Sequence, residues 1–148
     1  MPSPCPVDIL NRDIIRSLAE RGNIVIAAGG GGVPVYYDDE EDLQGVDGVV
    51  DKDLTASLLA VKIDAEVFIS LTDIPKVCKN YGMPGQKELS RLKTTTARKY
   101  LEQGQFPNGS MGPKITAAIK FAEATGKEAL IVKASHLSEK NCGTRIFK

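Results

Sequence analysis

Apolar positions fall in two rhythms along this chain. Val7, Leu10, Ile14 and Leu18 are spaced for one face of a helix, with Gly22 as its stop. Ile24-Val25-Ile26-Ala27-Ala28 is a short unbroken apolar run bounded by glycine, which reads as a buried strand. Gly29 to Gly32 follow it, and Val33 to Tyr37 reads as a second strand with Pro34 near its start. Leu54, Leu58 and Val61 mark another helix, with Asp51 or Asp53 placed to cap it. Val67 to Leu71 is a further buried strand, ended by Thr72-Asp73. Ile74 to Gly85 holds Pro75, Gly82, Pro84 and Gly85, so it reads as a loop with at most one helical turn. Thr94 to Gln103 predicts a short helix and Gly104 to Pro113 a loop. Ile115, Ala118, Ile119 and Ala122 then form the clearest helical stripe, ended by Gly126. Ala129 to Val132 predicts the last buried strand, and Arg145-Ile146-Phe147 a short edge strand.

Alternating strands and helices imply an α/β fold, a three-layer αβα arrangement around a mainly parallel sheet. Ligands of such sheets bind beyond the carboxyl ends of the strands. Gly29 to Gly32, Asp51 to Asp53 and Thr72-Asp73 all lie where a strand ends or a helix begins. With 148 residues the chain suits one domain, long enough to bury about 70% of its unfolded surface.

Charge and composition then remove whole classes of function. Lys and Arg total 19, as do Asp and Glu, so no broad cationic surface for nucleic acid is expected. Cys5, Cys78 and Cys142 are far apart, and His136 is the only histidine. That inventory fits free thiols in a reducing cytosol better than a zinc site or a Cys/His or Ser/His pair. No apolar run approaches the ~20 residues that cross a bilayer, and no signal-peptide pattern opens the chain, so a cytosolic protein without membrane contact is expected. The acidic run Asp38 to Asp42 reads as a solvated hairpin turn rather than a metal cluster, because metal sites need spaced, converging oxygens. No protein-held metal is expected.

Three segments could carry chemistry. Four glycines after a strand let backbone approach an anion, or simply make a tight strand-to-strand turn. Pro34 interrupts the dinucleotide fingerprint, and no G-K-[ST] is present. Gly109-Ser110-Met111-Gly112-Pro113-Lys114 is sharper. Pro113 suits the first position of a helix, and Lys114 puts a cation at the positive end of its dipole. That placement weakens a helix unless an anion sits there, which points to phosphate; the plainer alternative is a helix start with a solvated lysine. Asp51-Lys52-Asp53 is a mixed-charge cluster at another helix start, readable as a cap or as cations arranged by a carboxylate for phosphoryl transfer.

On these residues the chain resembles the carbamate kinases of the amino acid kinase superfamily. The matching stretches are Pro2-Ser3-Pro4, IVIAAGGGGVPV (Ile24 to Val35), GVDGVVDKDLTASLLA (Gly45 to Ala60), LTD (Leu71 to Asp73), NYGMP (Asn80 to Pro84), QFPNGSMGPK (Gln105 to Lys114) and GTRI (Gly143 to Ile146). DKD followed by GSMGPK points to the carbamate branch rather than to acetylglutamate or aspartate kinases. The resemblance implies exchange of a phosphoryl group between ATP and carbamate, with ATP/ADP and Mg²⁺ as the required small molecules. It implies Lys52 and Lys114 as charge-stabilising lysines and Asp53 as the carboxylate that holds them. Thr72, Asp73 and Tyr81 would lie near the nucleotide, Gly109, Ser110, Met111 and Gly112 would approach its phosphates, and Gly29, Gly30, Gly31 and Gly32 would line the acceptor side. The match covers the family's second half, so an ATP-binding half lacking the N-terminal acceptor half is expected. Pro75 stands where the family carries an acidic residue, and the stretch from Ser135 to Gly143 is shorter than the family's, so its last helix should be missing or reduced. An exposed sheet edge, and association with a second copy or with the missing half, follow as expectations.

Overall fold

The structure, a computed structural model, describes residues 2–148, and its core is organised around one long helix, α4 (Met111–Thr125). Met111, Ile115, Ala118, Ile119, Phe121 and Ala122 are all buried on it, so apolar side chains face more than one neighbouring layer. Helix α2 (Lys52–Lys62) lies against α4. Asp51 caps α2 by accepting from the Leu54 N–H at 2.9 Å, as the sequence suggests. The buried face of α2 is not the leucine stripe, however. Leu54, Leu58 and Val61 stay half-buried, while Ser57 and Ala60 are buried and Ser57 Oγ donates to the Ala117 carbonyl at 2.7 Å. Small side chains let the two helices approach, and the hydroxyl finds a backbone partner inside the contact. Helix α3 (Thr94–Glu102) completes the helical layer, with Ala97 fully buried.

The main sheet runs β3 (Phe68–Thr72), β7 (Ala129–Lys133), β8 (Thr144–Phe147), β6 (Arg91–Lys93). The β3–β7 and β6–β8 pairs are parallel and the β7–β8 pair is antiparallel, giving a mixed sheet that is parallel at two of its three seams. This is an αβα fold. Central strand β7 is buried along Ala129 to Val132. At the edge, β3 alternates. Phe68 and Ser70 are buried, with the Phe68 and Phe121 rings 5.8 Å apart, whereas Ile69 and Leu71 on the other side are exposed.

Two small hairpins accompany the sheet. Strands β1 (Val35–Tyr37) and β2 (Leu43–Gly45) pair antiparallel around the Asp38 to Asp42 turn, where Asp38 accepts from the Asp42 N–H and from Gln44. Strands β4 (Cys78–Lys79) and β5 (Lys87–Glu88) form the other. Thr144, fully buried in β8, clamps the base of this second hairpin. Its hydroxyl accepts from the Val77 N–H at 2.9 Å and donates to the Leu89 carbonyl.

Several expectations need correcting. Ile24 to Ala28 forms no strand, and Ile24 and Ile26 are almost wholly exposed. An extended segment becomes a strand only when a neighbour accepts its hydrogen bonds, and none lies beside it among the described residues. Helix α1 is Arg12–Glu20, beginning after Val7 and Leu10, and buries none of its residues; Gly22 follows it with φ 83° as the expected stop. Residues 74–85, read as a loop with at most one helical turn, contain strand β4 as well. Helix α4 starts at Met111, so Pro113 is its third residue rather than its first. The Pro107 carbonyl takes the Gly112 N–H at 2.9 Å and turns the chain early, and proline is tolerated throughout a first turn because those N–H groups lack intrahelical partners. Strand β8 is not an edge, since the short strand Arg91–Lys93, with Leu92 buried between two charged residues, pairs outside it. Between β7 and β8 the described chain makes only a 3₁₀ turn, Ala134–His136, in line with a reduced last helix.

Candidate functional site

The first turns of α2 and α4 meet beside Ser70, midway along β3, and each brings a charge. Asp53, the second residue of α2, is buried, and its Oδ1 lies 2.9 Å from Nζ of Lys114 in the first turn of α4. The Lys114 side chain keeps 18% of its surface exposed, so the pair is shielded but open on one side. Lys52 Nζ approaches the other oxygen of Asp53 at 3.9 Å and remains 68% exposed. Two ammonium groups therefore share one carboxylate, and the trio carries a net positive charge.

Helix electrostatics explain the division of labour. A carboxylate in the first turn of α2 is favoured by the helix dipole, and a lysine in the first turn of α4 is disfavoured. The anion that offsets Lys114 within this chain is Asp53. The backbone contributes less to anion attraction at α4 than its sequence suggests. Gly112 spends its N–H on Pro107 and Pro113 has none to offer. Met111 is buried in the core, and a Cβ at Gly112 would come within 3.1 Å of the Pro107 carbonyl, so both are placed by packing. Gly109 and Ser110 remain exposed ahead of the helix.

Ser70 joins the cluster from β3. Its Oγ donates to Asp53 Oδ1 at 3.3 Å and accepts from Lys114 Nζ at 3.3 Å. Its signal in the sequence is weak but present. Ser70 shares the inward-facing alternation of β3 with Phe68, and a polar side chain on a buried face needs a partner. Among the described residues no buried side-chain nitrogen or oxygen lacks a hydrogen bond.

The remaining candidates lie around this centre to different degrees. Thr72 is half-buried at the end of β3, with Asp73 exposed just after it. Tyr81 is exposed in the turn between β4 and β5. That hairpin is tied to the segment entering α4, because the Asn80 N–H donates to Gln105 Oε1 at 3.0 Å. Gly29 to Gly31 form a 3₁₀ turn, with φ of 68°, 109° and 83° at Gly30, Gly31 and Gly32. The turn is held on α2, where Thr55 Oγ1 donates to the Gly31 carbonyl at 3.0 Å, and a side chain at Gly31 would collide with the Val50 carbonyl. Backbone conformation therefore requires glycine at Gly30, Gly31 and Gly32, and close approach requires it again at Gly31.

The profile of the amino acid kinase family matches residues 2–133, most of the chain. The chain belongs to the amino acid kinase family. Its relatives in that family include a carbamate kinase from Thermoplasma acidophilum, 47% identical over 131 residues, which are 88% of this chain and 43% of the relative. A carbamate kinase from Pyrococcus furiosus is 44% identical over 150 residues, 99% of this chain and 48% of the relative. Among solved structures of the family, a carbamate kinase from Giardia lamblia bound to AMP-PNP matches with a TM-score of 0.93 at 38% identity, over 100% of this chain and 48% of that one. The chain spans about half the length of the curated relatives it matches.

Proposed function

We propose that this chain is the nucleotide-phosphate side of a carbamate kinase-type phosphotransferase, catalysing ATP + carbamate ⇌ ADP + carbamoyl phosphate. The observation that carries the reading is the pair of lysines on one buried carboxylate, Lys114 at 2.9 Å and Lys52 at 3.9 Å from Asp53, where two helix starts meet beside β3. Transfer toward carbamoyl phosphate breaks the bond between the γ-phosphorus and the β–γ bridging oxygen and forms one from a carbamate oxygen. That oxygen is already anionic, so no general base is needed, and catalysis rests on placement and charge. Lys114 and Lys52 offset the charge spread over the transferring group, and Asp53 positions them. Thr72, Asp73 and Tyr81 line the nucleotide, Gly109 to Gly112 approach its phosphates, and Gly29 to Gly32 border the acceptor. AMP-PNP in the Giardia relative supports a nucleotide for this family member.

No group of three or more acidic, histidine or cysteine side chains converges on a metal position among the described residues, and Asp53 is already engaged by both lysines and Ser70. The residues present do not form a Mg²⁺ cage, so Mg²⁺ belongs to the nucleotide substrate, held by phosphate and water. A cytosolic location is part of this reading; no helix among the described residues is long and apolar enough to cross a membrane. So is association with a second copy or with the other half of the family's fold, supported by the uncovered outer side of β3.

The test is ATP formation from ADP, Mg²⁺ and carbamoyl phosphate, with Lys114→Ala as control. Turnover that falls at least a hundredfold in the variant is the expected result, matching the loss of one charge-stabilising donor. ADP binding without turnover would instead establish a second reading, non-catalytic nucleotide binding, which the chain's half-length match motivates. Absence of both in folded protein would overturn the kinase reading.

A further inference from the structure

An ammonium group has three hydrogens and no lone pair, so its direction is set by the acceptors it meets. Lys114 meets two inside the protein, Asp53 Oδ1 at 2.9 Å and Ser70 Oγ at 3.3 Å. With its side chain 18% exposed, it keeps one open side. The carboxylate alone would leave the ammonium free to swing about a single hydrogen bond. Ser70 removes that freedom. It is buried on a strand, and its single hydrogen goes to the same Asp53 oxygen, which leaves a lone pair facing the lysine. The three groups close a ring of hydrogen bonds in which each fixes the other two.

We infer that Ser70 is a positioning residue for Lys114, spending one ammonium hydrogen so that the remaining one points out of the protein at a phosphate oxygen. The inference rests on the phosphotransferase reading for the identity of the phosphate, though not for the hold on the lysine. Lys52 shows what the lack of such a residue means. It lies 3.9 Å from Asp53, has no second protein acceptor among the described contacts and stays mostly exposed. One lysine is aimed and the other is loosely tethered, so the aimed one answers for orientation and the tethered one for charge.

The test compares wild type, Ser70→Ala and Ser70→Thr by two measurements on the full chain, well below the thermal midpoint. Lysine-selective ¹⁵N NMR reads the exchange of the Lys114 ammonium hydrogens with water, assigned by their loss in Lys114→Met. Calorimetry reads ADP affinity. Ser70→Ala should speed the exchange and weaken ADP by roughly tenfold each, the size of one lost hydrogen bond to a charged group. Ser70→Thr, which restores a hydroxyl, should recover both. Should the alanine variant fail to fold, Ser70→Cys keeps the shape and supplies only a weak acceptor, and the same comparison applies. Unchanged Lys114 exchange in a folded hydroxyl-free variant would overturn the proposal. If wild type binds no ADP, the kinase reading fails alone, because the exchange measurement still decides whether Ser70 holds the lysine.

Discussion

Residues 2–49 and residues 50–148 carry similar apolar patterns and meet opposite fates. In the first region Gly31 is the only buried residue, and Ile24 and Ile26 are 99% and 97% exposed. In the second, Ile115, Ile131 and Ile146 are exposed by 1% or less, and the whole apolar core lies there. Ile24 to Ala28 and Ala129 to Val132 are both short unbroken runs of alanine, valine, isoleucine or leucine. Only the second has strands on both sides and α4 across one face. Apolar residues supply the tendency to be buried; neighbours with free backbone groups and a covering layer supply the opportunity. The cluster of Lys52, Asp53 and Lys114 lies in the well-packed region, and the glycine turn of the other region is held on its helix α2.

The largest effect should come from exchanging equal truncations between the regions. Ile131→Ala is expected to cost about 2–5 kcal/mol in urea unfolding, the range for a buried isoleucine, and Ile26→Ala to stay within about 0.5 kcal/mol. A cost above about 1 kcal/mol at Ile26 would break the comparison and mean that this face is covered in solution. Glycine substitutions sharpen it next. Gly143, at φ 67°, would drive a Cβ into the Ile131 carbonyl and against Leu130 and Val132, whereas Gly22, at φ 83°, has open space around it. Gly143→Ala should cost about 2–3 kcal/mol and Gly22→Ala about 1 kcal/mol, from thermal unfolding monitored by circular dichroism.

Acid should give the smallest effect. A hydrogen bond from Lys127 lowers the Asp64 pKa below its ordinary 3.8, and one from Arg98 lowers Glu123 below 4.5. A folded-state pKa below the unfolded one means that the stabilisation is present above the unfolded value and lost as pH falls through the folded one. The urea midpoint should therefore decline slightly from about pH 4.5 downward, on top of any general acid effect. Both carboxylates are partly or largely exposed, so the change is small, and 0.5 M NaCl should reduce it. Lys127→Met should remove the Asp64 share.

Legibility followed the range of the interactions involved. The stripe Ile115, Ala118, Ile119 and Ala122, the Asp51 cap and the Gly126 stop rest on contacts within one helix, and all three were readable in order along the chain. The Asp38 to Asp42 turn was equally local. Lys52, Asp53 and Lys114 were singled out by charge at helix starts and by family resemblance, and they converge in space. Ser70 was not, because its partners are 17 and 44 positions away. The interior place of β8 escaped for a similar reason, since its outer neighbour Arg91–Lys93 is three residues long with the single apolar residue Leu92.

The amino-acid sequence by itself determined the helices, the turn chemistry and the residue types available for phosphate chemistry, since these depend on side chains a few positions apart. Tertiary structure alone decided which apolar runs were buried, which strand lay inside the sheet, and that a buried aspartate and a strand serine together hold Lys114. Each of those outcomes needs groups distant along the chain to meet, and only the folded chain brings them within hydrogen-bonding reach.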